Sequence, residues 1–465
     1  MDADQKEQGI ADHRGLHTHS SCVQVALPQL IKHFQHYFER KTCYATTMLL
    51  SNTRYLGSDF ALHQADIRIE GSLIVAIEKN LKPLTGEEVI DCSSHLIYPA
   101  LADCHTHTPD TLFRGLFSDK PLHTWCDDTA QGRLQQQLFD YTDQAVSTSD
   151  FHILVLYAYL QYLKAGVACI VETGQADESS QALEECASRI GIKALVDWYD
   201  EVPTQETATT GLMRGTHLPE EEDLEQDSLA EAIERVQRTG WPLMTHCLET
   251  EFRRKETLRK FGLSTVELLA LHNLLNEQTI LFHCIETTDK DRVLLASSKA
   301  LLVHCPISNR ISGAHEMALT DLLDKGARIG LGTDFLSHDI WEVMRTTYAE
   351  LKQSNRAEHY DAKTVWKLAT TSPCPALYNG RIEVGKRADL VFVRNVLELS
   401  PLVQTHGFSN VAYNTLMHTR ADFIDSVMVD GKFVIEDGTC TTVDEAALEK
   451  AYTEILQRVY GSQLI

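Results

Sequence analysis

No stretch of this 465-residue chain approaches the ~20 consecutive apolar residues that a membrane-spanning helix needs. Its opening, "MDADQKEQGI", lacks the basic start and apolar run of a signal peptide. Basic residues are scarce: 42 Lys and Arg face 66 Asp and Glu, leaving a net charge of −24. That balance argues against a nucleic-acid backbone or an anionic membrane as partner. Paired cysteines are missing too. The twelve are scattered singly with no Cys-x-x-Cys, which suggests reduced thiols and a cytoplasmic setting. There is no internal repeat, low-complexity tract or Pro/Gly-rich linker. What remains is a globular balance, 43% hydrophobic and 23% charged, long enough for one large domain and a smaller one.

Residues 1–41 read as a polar extension containing a helix, because apolar positions recur at helical spacing in "LPQLIKHFQHYFERK". "ADIRIEGSLIVAI" alternates and is β-rich, so it predicts a hairpin turning at Gly71. From residue 99 to 385 short β-rich runs alternate with longer helical stretches: "VACIVET", "KALVDWYD", "WPLMTHCLE", "TILFHC", "ALLVHCP" and "ARIGLGTDF". Such alternation predicts parallel β-α units. Several runs end in His, Glu, Cys or Asp, at the edge where an α/β barrel gathers its active site. Residues 42–98 and 386–440 are strand-rich and flank the barrel, so they are expected to form one small β domain from both chain ends. Residues 441–465 are expected to form a C-terminal helix.

Two stretches read His-Thr-His: His17 and His19 in "LHTHSS", and His105 and His107 in "DCHTHTP". The first pair sits in the polar lead with no strand to place further ligands, and reads as exposed tail. The second pair follows a β-rich run, where alternate side chains point the same way, here into the barrel mouth. His246, His283 and Asp334 also end β-rich runs. A single histidine at such a place is by default a hydrogen-bonded structural residue. Five metal-type residues ending four runs point instead to one divalent ion, Zn²⁺ first, with Fe²⁺ or Mn²⁺ tolerated. A divalent ion lowers the pKa of a water it binds toward ~7. Asp334 could then accept a proton, and Glu249, three residues past His246, could protonate a ring nitrogen or departing amine.

"PALADCHTHTPDTLFRGLFSDKPLHTW", "THCLET", "FHC", "VHCPISN" and "GLGTDF" together resemble the amidohydrolase superfamily over about residues 45–440. Within it they are most similar to the mononuclear aminohydrolases: adenosylhomocysteine/methylthioadenosine deaminases, guanine deaminase and the triazine hydrolases. The resemblance implies a TIM (β/α)8 barrel with a composite β-sandwich. It also implies that His105, His107, His246 and Asp334 bind the metal. Glu249 would shuttle a proton, and His283 would help polarise the attacking water or the substrate. Binuclear relatives bridge two ions with a carboxylated lysine on strand four. No lysine lies between Lys193 and Lys255, which favours one ion.

Other residues are candidates for contacting substrate. "GTHLP" resembles the strand-four pattern of this branch and nominates His217; His304 follows an apolar strand; Trp125 and Arg114 could wall a pocket. "TDF" puts Phe335 where relatives usually carry glycine, beside Asp334. A gapped alignment sets Gln131 where the nucleoside-thioether deaminases hold ribose with a glutamate. Trp198 could stack on a flat ring, and "KALVDWYD" offers no arginine to meet an amino-acid carboxylate. The expected activity is therefore metal-dependent hydrolytic deamination of a compact nitrogen heterocycle or cyclic amidine, by a homodimer. Rivals sharing the same metal centre are hydrolytic dehalogenation, nitrogen-ring opening or closing, and deamination of intact nucleosides. A non-catalytic barrel is the reading from another class. The cysteine-ligated zinc deaminases are excluded, since His-x-Glu and Pro-Cys-x-x-Cys are absent as a set.

Overall fold

The computed structural model describes residues 47–174, 179–198, 211–335, 337–353, 357–461 and 464. The expected N-terminal helix, and with it His17 and His19, lies outside them. Eight parallel strands run in sequence order around a barrel: Leu101–Thr106, Val167–Glu172, Lys193–Trp198, Leu212–His217, Leu243–Cys247, Thr279–His283, Leu301–His304 and Arg328–Leu331. Period-two alternation divides their side chains. Cys169, Val171, Leu195, Met244, Ile280, Phe282, Leu301 and Val303 fill the interior. Ile170, Ala194, Val196, Leu243, Leu281, Leu302 and Leu331 meet the surrounding helices.

The seam between the first and last strands is closed mainly at the mouth. Thr106 and Asp334 form a parallel bridge, and the Asp334 N–H donates to the His105 carbonyl at 2.9 Å. Deeper in the seam, buried Asp103 accepts the Thr333 N–H at 3.0 Å and the Thr333 hydroxyl at 2.6 Å. Its burial pushes the carboxyl up to about 7, against these donors.

Strands from both ends of the chain form one nine-stranded sheet. Thr47–Leu56 is its pivot, pairing with Glu88–Asp91 through its first half and His95–Pro99 through its second, on either side of a bulge. Leu390–Arg394 then joins the N-terminal strands to Ile424–Val429. Leu62–Glu70 and Leu73–Glu78 make the expected hairpin, with Gly71 at φ +56°, in the left-handed region. The helix Glu445–Tyr460 ends the chain, with Tyr452 stacked 3.8 Å from Tyr157.

Sheet and barrel share a buried ion triad. Lys193, at the start of the third barrel strand, lies 2.7 Å from Asp389 and 2.8 Å from Asp430. It therefore sits at the end of the barrel opposite the mouth. Removing one partner from a buried pair leaves uncompensated charge. We expect Lys193→Ala to cost about 3–5 kcal/mol in chemical denaturation; a loss below about 1 kcal/mol would contradict this role.

Candidate metal-centred active site

Each histidine reaches the barrel mouth by a different local device. His105 is fully buried near the end of its strand, its ring 3.8 Å from that of Phe282 and nearly parallel to it. Gly332 makes room for it, since a methyl group there would lie 2.8 Å from the His105 Cβ. His107 follows the strand, and its Nδ1 donates to the Gly174 carbonyl at 2.9 Å, which turns Nε2 inward. Nδ1 of His246 lies 2.6 Å from Oε1 of Glu220, a close charge contact outside hydrogen-bond geometry.

His283 departs from alternation. Phe282 faces the interior, so the next residue should face the helices. Instead His283 and Cys284 have φ of +68° and +50°, and this left-handed turn swings the imidazole back over the mouth. There its Nδ1 meets Oδ1 of Asn309 at 2.8 Å. Asp334 is also left-handed, at φ +61°. Its Oδ2 accepts the Ser308 hydroxyl at 2.5 Å and its Oδ1 accepts the Phe335 N–H at 2.8 Å. Left-handed backbone at non-glycine residues clusters at active sites and ligand clamps, though it also occurs in ordinary turns.

The nitrogens and oxygens converge. His107 Nε2 is 3.3 Å from His246 Nε2. Asp334 Oδ1 is 3.4 Å from the Nε2 atoms of both His105 and His107. Two donor atoms bound to one tetrahedral ion by ~2.1 Å bonds stand about 3.4 Å apart, so this spacing suits a shared cation. His105 makes the same point. Neither of its ring nitrogens has a hydrogen-bond partner among the described residues, although both are buried. Burial pushes His105 well below the usual histidine range. For His107 burial acts the same way, but the Asp334 carboxylate wins and raises it to about 9. Burial opposes the charge of Asp334, yet His105, His107 and His283 hold it well below the usual carboxylate range. Among the described residues, His105, His107, His246, His283 and Asp334, with the Cys305 thiol, are the groups that could hold a metal.

Glu249 sits beside them. Leu248 turns at φ +50°, and Thr250 caps the helix Glu251–Phe261. Between them Glu249 is buried, with Oε1 3.8 Å from Nε2 of His283. Oε1 of Glu249 and Oδ2 of Asp334 thus face one imidazole nitrogen, at 3.8 and 3.7 Å.

The surrounding candidates divide. His217 ends the fourth strand at the mouth, its Nδ1 3.1 Å from Oδ2 of buried Asp197. Phe335 is 5.9 Å from His107 by ring centroid and belongs to an aromatic wall with Phe117 at 4.8 Å and Trp125 at 5.7 Å. Three candidates lie away from the converging metal-type groups. Trp198 does not face the mouth: Leu195 and Asp197 take the inward positions, so its indole lies among the helices, donating to Glu184 at 3.1 Å under Arg214. His304 follows inward-facing Val303 and points outward to Glu350 at 3.2 Å. Gln131 donates its amide to the carbonyls of Leu116 at 2.8 Å and Ser118 at 3.0 Å, bracing the loop that carries Phe117. Arg114 is exposed.

Sequence reasoning missed the groups that orient the centre: Asp103, Asp197, Glu220, Ser308 and Asn309. Ser308 and Asn309 belong to "VHCPISN", whose two polar residues after a proline-started turn were the available signal. Glu220 belongs to the acidic run 220–223, which reads equally as a solvated loop.

Known proteins share this arrangement of strands. A 5-methylthioadenosine/S-adenosylhomocysteine deaminase from Pyrococcus furiosus is 26% identical over 88% of this chain and 100% of its own length. Among solved structures, an adenosine deaminase from Xanthomonas campestris with bound Zn matches with a TM-score of 0.76 at 21% identity, covering 89% of this chain and 98% of that one. A triazine hydrolase from Arthrobacter aurescens matches at 0.75 and 18% identity, over 88% and 99% of the two chains. The amidohydrolase family model matches residues 96–434, a span that takes in every strand of the barrel. On that match the chain belongs to the amidohydrolase family, as a hydrolase acting on carbon–nitrogen bonds.

Proposed function

We propose that this protein removes an amino group from a flat nitrogen heterocycle by hydrolysis, at one divalent ion held by His105, His107, His246 and Asp334. The observation that carries the reading is the convergence of those four side chains, at 3.3–3.4 Å spacings, on a mouth that also holds Glu249. Three imidazoles and one carboxylate favour zinc, and the Xanthomonas adenosine deaminase binds Zn. The ten described cysteines are all free, which suits a reducing cytoplasm.

When bound, the ion supplies Lewis acidity and a lowered pKa for water. The chain supplies positioning and proton transfer. His283, fixed by Asn309, offers Nε2 toward the reacting centre, and Asp334 and Glu249 present oxygens to either side of that nitrogen. Water adds its oxygen to the ring carbon, and the carbon–nitrogen bond to the amino group breaks. One proton from water passes through a carboxylate to the departing nitrogen, which leaves as ammonia. Phe335, backed by the buried Phe117 and flanked by half-buried Trp125, gives a flat ring an aromatic edge to lie against.

We further propose a compact ring over an intact nucleoside, because Phe335 brings a full aromatic side chain to the mouth 5.9 Å from His107. The Pyrococcus relative, named for nucleoside thioethers, favours the larger substrate. The test is an ammonia-release panel of aminopurines, pterins, pyrimidines and aminotriazines against methylthioadenosine, adenosylhomocysteine and adenosine. Release from a bare heterocycle is expected. A kcat/KM near 10⁵ M⁻¹s⁻¹ for a nucleoside, an ordinary enzyme value of about that order, would overturn the compact-ring reading. Halide release from a chlorotriazine, with no ammonia from any compound, would overturn deamination.

A further inference from the structure

We infer that Arg253 is a positioning residue for Glu249, selecting which of its two carboxylate oxygens handles the proton; this rests on the proton-carrying role proposed for Glu249. Arg253 lies in the first turn of the helix Glu251–Phe261, four residues beyond Glu249. Its Nη1 donates to Oε2 of Glu249 at 2.5 Å and lies 2.9 Å from Oε2 of Glu220. Its Nε and Nη2 donate to Oε1 of Glu222 at 3.2 and 3.1 Å. One planar guanidinium is thus fastened to two carboxylates of the loop after the fourth strand and to a third at the end of the fifth. Its donors are set in a rigid fork, so fixing two of them fixes the direction of the rest.

The consequence falls on the glutamate. The terminal torsion of a free glutamate is broad and nearly two-fold, so either oxygen can face the reaction. In Glu249 the guanidinium occupies Oε2 and leaves Oε1 toward Nε2 of His283 at 3.8 Å. The contact is not a surface ion pair of little worth: the side chains of Arg253 and Glu249 are only 12% and 9% exposed. Glu220 extends the same array to the metal centre, since its other oxygen lies 2.6 Å from Nδ1 of His246. The hydrogen bonds of Arg253 go to Glu249 and Glu222, while its 2.9 Å approach to Glu220 is a charge contact alone, so its bracing falls on the proton carrier. The neighbouring Glu221 is spent elsewhere, accepting the Leu248 N–H at 2.9 Å and the Thr265 hydroxyl, which fixes the turn that leads into Glu249.

Arg253→Ala would strand three carboxylates near one another and could fail to fold, so Arg253→Lys is the working variant. It keeps the charge and loses the fork. Kinetics use the bare heterocycle that releases ammonia fastest in the panel above, with Arg253→Lys, Glu249→Gln and the double variant. We expect Arg253→Lys to lower kcat by about 10- to 100-fold, the scale of a misplaced catalytic group, with KM and metal content unchanged. Because Arg253 acts through Glu249, the double variant should match Glu249→Gln alone. Parental kcat in Arg253→Lys, or independent and multiplying losses in the double variant, would overturn the inference. A fully active Glu249→Gln would instead overturn the role of Glu249 itself. A crystal structure of Arg253→Lys decides the matter without turnover. The Glu249 carboxylate should leave its position while His246 and Asp334 stay in place; an unmoved carboxylate would refute the positioning role.

Discussion

Glu249→Gln should keep the fold and the metal while kcat falls by about 10² to 10⁴, the range for a general acid–base group. The amide matches the carboxylate in shape, and its oxygen can still accept from Arg253, which holds the native Oε2 at 2.5 Å. What it cannot do is take up a proton and release it. The hydrogen bond that holds the Glu249 side chain comes from Arg253 on the following helix, which Thr250 caps, and Leu248 is fixed by the Glu221 carboxylate. The substitution therefore separates chemistry from architecture. Steady-state kinetics with metal analysis of the same sample checks it. Turnover at the parental rate would reassign the proton to another group, with Asp334 first in line.

Asp334→Asn should have a still broader effect, removing both metal and activity. One Asp334 oxygen stands 3.4 Å from two imidazole nitrogens, and the other is 3.7 Å from a third. An asparagine turns one side of that carboxylate into an N–H₂ donor. It then either donates to the Ser308 hydroxyl and leaves an uncharged oxygen toward the imidazoles, or points a donor at nitrogens that need lone pairs free for an ion. Changes to groups that merely orient ligands cost about 10- to 100-fold in affinity or activity. Loss of a charged donor should exceed that, about 10³ or more in kcat by the same scale. The barrel should still close, since the seam uses the backbone N–H of residue 334 and the side chain of Asp103. Unchanged thermal melting with lost metal is the expected pair of results. Stoichiometric metal with near-parental turnover would remove Asp334 from the ligand set.

Much of this site is legible in the sequence because barrel strands announce their ends. Val167–Glu172, Thr279–His283 and Leu301–His304 are unbroken apolar runs that stop at a polar residue. The fourth strand is harder to read, since Arg214 and Gly215 interrupt it. The glycine is there because a side chain would collide with the Met244 sulfur, a contact between strands that no local pattern encodes. Facing direction is the second limit. Trp198 and His304 each lie one residue from an inward position, and a shift of one residue turns a side chain to the other side. His283 obeys the opposite logic, its parity overruled by a left-handed turn. Gln131 shows a third limit. A gapped alignment gives a position but not the loop carbonyls that occupy its amide. The Arg253 array depends on chain segments some thirty residues apart meeting in space, and the sequence shows only charges.

The sequence holds two His-Thr-His stretches, and their comparison is the most direct test of the centre. The measurement is metal content per chain, by elemental analysis of gently purified protein, for the parent, His17→Ala with His19→Ala, and His105→Ala with His107→Ala. We expect one equivalent of a single divalent metal in the parent, one in the first double variant and none in the second. No metal or two equivalents in the parent, or metal that follows His17 and His19, would contradict a single ion held by His105, His107, His246 and Asp334.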